Sequence, residues 1–204
     1  MGARAGAIAV VLILWIGVRL AMRRPLAHPW LASIVLSGLS ATAGSYSETF
    51  LGPGEHVAYG LAALLGFAGL VVFGEGLKAE LGVSRSTDRH IVLIAATCLV
   101  LGIVCGLLST PRDHLIGDMA GSAYLLSLLG ILLSARQRRA GSALIAAAIV
   151  TYAFTRTLLL GIRTRGVDSY RMEHAFDLTV ILVFGLGLIV FAIEGALKPV
   201  RTRW

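Results

Sequence analysis

Long apolar runs recur seven times along this chain, separated by short polar or turn-forming stretches, and no fold that keeps water around its surface can absorb them. The runs cover residues 7–22, 31–50, 55–74, 90–108, 113–134, 142–161 and 173–196. At a helical rise of about 1.5 Å per residue, such lengths match a hydrocarbon layer about 30 Å thick. Inside that layer every backbone N–H and C=O needs a partner within the protein, so only helices or a closed barrel can span it. Leu, Ala, Val and Gly without period-two alternation select helices. The expected fold class is therefore all-α, a polytopic integral membrane bundle of seven transmembrane helices forming one domain over residues 1–204. Composition agrees: 57% of residues are hydrophobic and only 14% are charged.

The formal charge of +7 suggests a nucleic-acid partner until the charges are placed. Twelve of the eighteen Lys and Arg residues fall in four clusters, around Arg19/Arg23/Arg24, Lys78/Arg85/Arg89, Arg136/Arg138/Arg139 and Lys198/Arg201/Arg203. Each cluster follows an alternate span, so the positive-inside rule makes all four cytoplasmic, with the amino end outside and the carboxyl end inside. The expected partners are a lipid bilayer, the cell's inner (plasma) membrane, and a membrane or cytoplasmic signalling protein, with no nucleic acid.

Individual residues carry further expectations. The heavier charge follows the first apolar run, which argues for a retained helix over a cleaved signal peptide, with Arg19 snorkelling to the inner headgroups. Trp30 is placed as an interfacial anchor. The second run is rich in Ser, Gly and Thr, which suits close packing inside the bundle. Cys98 and Cys105, seven apart in one helix, are read as small hydrophobes. The expected core comes from helices two, three, six and seven.

An internal repeat organises the chain. Glu55-His56, Asp113-His114 and Glu173-His174 each open an apolar run, and their histidines lie 58 and 60 residues apart. The first and third runs close alike, on Gly69-Leu70-Val71-Val72-Phe73 with Glu75-Gly76-Leu77-Lys78, and on Gly187-Leu188-Ile189-Val190-Phe191 with Glu194-Gly195-Ala196-Leu197-Lys198. Three related hairpins after a leading helix follow from this. His56, His114 and His174 would then share one depth at the outer rim. There they would bind Zn, Cu or haem, or do no more than accompany an acid that favours a helix start. Asp118 and Asp177 lie about a turn inside the membrane, where a bare carboxylate is costly. Each should face the interior with a partner, Arg156 for Asp177. With Glu55, Asp113 and Glu173 they are candidates for a polar cavity or ligand site. Glu75 and Glu194 mark the cytoplasmic rim, each with a lysine three or four residues on.

The closes of the first and third repeats, with Glu75 and Glu194, resemble the ends of multi-helix membrane sensor regions that precede histidine kinase or diguanylate cyclase domains in bacterial signalling proteins. That resemblance implies a sensor or receptor-like module, or a scaffold, without a catalytic output domain of its own. The chain holds no phosphate-binding Gly-Lys-Ser/Thr loop, no Cys-x-x-Cys, no His-Glu-x-x-His and no Gly-x-Ser-x-Gly, so an enzyme is not the leading expectation. The seventh run has no lysine for a retinal Schiff base. A small transporter and a membrane metallohydrolase of the alkaline ceramidase kind stand as alternatives, beside a metal or haem protein. Against the metallohydrolase, the last run offers only His174-Ala175-Phe176-Asp177 where such enzymes carry His-x-x-x-His.

Overall fold

The computed structural model describes residues 3–24, 28–47, 53–83, 88–108, 114–134, 140–163 and 170–197. Within them the chain forms seven helices and no strand: α1 (Ala3–Ala21), α2 (Pro29–Ser47), α3 (Pro53–Leu81), α4 (Asp88–Leu108), α5 (His114–Ser134), α6 (Ala140–Arg163) and α7 (Tyr170–Leu197). Four segments are long and apolar enough to cross a membrane, Ala3–Ala21, Gly54–Leu81, Ala140–Leu159 and Ala175–Gly195. Much of the outside is apolar too, with Ile13, Val92, Leu107, Leu133 and Phe154 each more than half exposed, a surface that a water-soluble monomer avoids. Exposed threonines on these helices satisfy themselves. The hydroxyls of Thr42, Thr97, Thr157 and Thr179 each donate to the carbonyl four residues back, which suits a face without water.

Helix ends differ from the expected ones where local chemistry extends them. Helix α3 continues past Gly74 because Lys78 pairs with Glu75 at 2.8 Å on its surface, and it stops at Gly82, whose φ is +69°. There Val83 N–H donates to Lys78 C=O and Gly82 N–H to Ala79 C=O, a Schellman close with glycine at the left-handed position. The same pair of bonds ends α1, from Arg24 N–H to Arg19 C=O and from Arg23 N–H to Leu20 C=O. Here the left-handed residue is Arg23, at φ +51°. Helix α7 begins at Tyr170, so Glu173-His174 lies within its first turns rather than at its start.

The helices alternate in direction around a ring in which α1 packs on both α2 and α7, closing the chain on itself. Antiparallel neighbours meet at Gly69 with Ser33 (α3 and α2) and at Gly187 with Ile145 (α7 and α6); α1 and α7 run parallel, with Val11 against Gly185. Serines knit α2 to α3, Ser33 donating to Gly69 C=O and Ser40 to Ala62 C=O, both at 2.7 Å. Small residues thus bring α2 and α3 close, as their composition predicts. The main core is broader than expected: Val11 and Trp15 of α1 and Leu125, Leu128 and Leu132 of α5 join residues of α2, α3, α6 and α7. Helix α4 stands outside it. It leans on α3 through Gly102 and Gly106, which lie against Gly60 and Leu64, and through a second cluster of Phe67 with the buried Cys98 and Cys105, which form no disulfide.

Candidate functional site

Asp177 sits two turns into α7, as its eighth residue, and is 8% exposed. Because α1 runs parallel to α7 and α6 antiparallel to it, one basic residue from each reaches its level. Arg156 Nη2 of α6 lies 2.5 Å from Asp177 Oδ1, and Arg4 Nη2 of α1 lies 2.6 Å from Oδ2. Each carboxylate oxygen therefore accepts a charge-assisted hydrogen bond from a different helix. The Arg156 guanidinium also lies over the Tyr152 ring, 5.1 Å from its centroid, so its second face is covered by an aromatic quadrupole. The pairing of Asp177 with Arg156 is the one the sequence names. The participation of Arg4 is not, because nothing in a linear reading puts the second residue of α1 level with the eighth of α7.

The opposite end of the bundle holds an aromatic hub. Trp30 is fully buried, stacked on Phe73 at 6.2 Å and edge-on to Phe191 at 5.4 Å and to His28 at 5.1 Å. The expected interfacial anchor is thus an interior residue. Gly76 makes the room, since a methyl there would lie 2.5 Å from Trp30 Cδ1. Arg19, expected to snorkel to the inner headgroups, is 8% exposed and lies over Trp15 at 5.2 Å, with attraction to Glu80. His28 precedes α2 and accepts the Trp30 backbone N–H on Nδ1 at 3.2 Å, while Nε2 faces Glu80 Oε1 at 3.0 Å.

Glu75 and Glu194, alike in sequence, do different things. Glu75 bonds Lys78, the ordinary surface pair. Glu194 reaches across to α6, where its two oxygens accept the N–H groups of Ala140 and Gly141 at 2.8 and 3.1 Å. A carboxylate on α7 thereby caps α6, satisfying two amides its own helix cannot. Arg24 adds a bond to Gly195 C=O at 3.4 Å. Lys198, the expected partner of Glu194, lies outside the described residues.

His56 is exposed, and its Nδ1 lies 3.0 Å from Gly106 C=O. A carbonyl only accepts, so Nδ1 carries the proton there and His56 ties α3 to α4. Glu55 is half-buried in the first turn of α3. Asp113, and the side chains of His114, Asp118, Glu173 and His174, lie outside the described residues. Among the described residues no three His, Cys, Asp or Glu side chains gather to hold a metal.

No family model, curated protein or solved structure matches the chain.

Proposed function

We propose that this chain is a seven-span membrane module of the sensor or receptor-like kind, in which α7 carries a change from the Asp177 end to the Trp30 end. The observation that carries the reading is the sharing of buried Asp177 by Arg4 and Arg156. Breaking a buried ion pair by removing one partner leaves the other charge exposed to a poor dielectric, so such a latch has two distinct states rather than a continuum. In this reading the latch faces the non-cytoplasmic side, where a small ligand or a partner helix reaches it through the outer leaflet. The basic clusters face the cytoplasm. About 21 Å further along α7 Phe191 touches Trp30, and about 25 Å along it Glu194 caps α6, so displacement of α7 reaches α2, α3 and α6 together. The output then leaves from the Trp30 end of the bundle.

Hydrogen exchange on the whole protein in lipid nanodiscs tests this. Asp177→Asn is expected to raise exchange at the outer turns of α7 and also at the Ala140 and Gly141 amides at the far end. A change confined to the outer turns would reduce Asp177 to a local structural salt bridge and remove the basis of the reading.

A further inference from the structure

We propose that His28 is a proton-operated cap that ties the start of α2 to the charge state of the Trp30 end. Its two ring nitrogens have incompatible demands. The Trp30 backbone N–H is always a donor, so Nδ1, at 3.2 Å from it, must be bare. Nε2 then carries the one proton of a neutral imidazole and donates to Glu80 at 3.0 Å. In this tautomer His28 serves two helices at once, capping α2 and holding the last turn of α3.

Protonation keeps the Glu80 contact and makes it a full ion pair. It also puts a hydrogen on Nδ1, pointing at another donor, and the cap is lost. The ring or the first turn of α2 must then move, and what moves with that turn is Trp30, the side chain on which Phe73, Phe191 and Gly76 converge. Among the described residues, acidic and basic groups both stand near this end of the bundle. From α3, Glu80 Oε1 lies 3.0 Å from Nε2. From α1, the Arg19 guanidinium lies over Trp15, whose ring is 6.1 Å from that of His28. One turn back on α3, Glu75 and Lys78 neutralise each other; on α7, Glu194 is engaged by α6. Histidine is the side chain that ordinarily changes charge between about pH 5 and 8. The device responds to the proton concentration on whichever side of the membrane the Trp30 end faces, and it does not depend on the latch at Asp177.

The test uses the full chain in nanodiscs with Trp204→Phe, so that tryptophan emission comes from Trp15 and Trp30 alone. Acidification from about pH 8 to about pH 5 is expected to quench emission in a one-proton step and to lower the protection of the Trp30 amide against hydrogen exchange by about fivefold or more. His28→Asn retains an oxygen that accepts the Trp30 N–H but does not titrate, so both effects should vanish. A step that survives in His28→Asn, or quenching with Trp30 protection unchanged, would overturn the proposal. Should His28→Asn fail to fold, imidazole nitrogen NMR of the unmutated chain at pH 8 decides: the Nε2–H tautomer supports it and the Nδ1–H tautomer refutes it.

Discussion

At Asp177 one carboxylate serves two guanidiniums, so its removal and theirs have unequal costs. Asp177→Asn leaves Arg4 and Arg156 without their shared counter-charge, and a loss of about 2–4 kcal/mol is expected. Arg156→Ala should cost more than Arg4→Ala, because the Arg156 side chain is 12% exposed and that of Arg4 30%. The order of apparent unfolding midpoints of the three variants in one detergent checks this. Gly76→Ala is predicted to destabilise by about 1–3 kcal/mol by driving a methyl into Trp30. Gly130→Ala, which meets nothing within 4 Å, should instead stabilise α5 by up to about 1 kcal/mol through helix propensity. The same midpoint measurement should give the two glycine variants opposite signs. The Asp177–Arg156 pair was legible in the sequence, since a carboxylate in an apolar run needs a partner and the short α6–α7 connection supplies one. Arg4 was not, because only the packing of α1 on α7 brings it to Asp177; nor were the roles of His28 and Glu194, because helix pairing sets them beside Glu80 and the start of α6, more than fifty residues away in sequence.

Among the elements, α6 depends on α7 for its beginning. Glu194→Gln keeps the size but removes the charge that faces two free amides, and Glu194→Ala removes the acceptor altogether. The first should cost less than the second, which is expected to lose about 1–2 kcal/mol. Hydrogen exchange at Ala140 and Gly141 should rise in the same order. Helix α4 is attached by a glycine seam, the small cluster of Phe67 with Cys98 and Cys105, and the His56 bond, so Gly102→Leu should part it from α3 while leaving the main core intact. Exposure of Cys98 and Cys105 to a thiol reagent reads this directly, being low in the unmutated chain and high in the variant. Element positions were largely visible in advance because the apolar runs are long. Their ends were not, since Glu75–Lys78 pairing and a glycine close carry α3 to Leu81, past where hydropathy alone would stop it. Nor does composition distinguish a tryptophan at a headgroup boundary from one taken into the interior by a facing glycine.

Over the whole molecule, the seven described helices alternate so that the start of α1 and the close of α7 lie at opposite ends of the bundle, and the parallel packing of α1 on α7 agrees with that arithmetic. The proposed function requires the same of the membrane: Arg4 and the α7 latch on one side, the Trp30 hub and the close of α7 on the other. Reporter tags at the two termini, read by protease protection in sealed vesicles of known orientation, test this most directly. The account predicts an amino-terminal tag on the non-cytoplasmic side and a carboxyl-terminal tag in the cytoplasm; both tags on one side would contradict it.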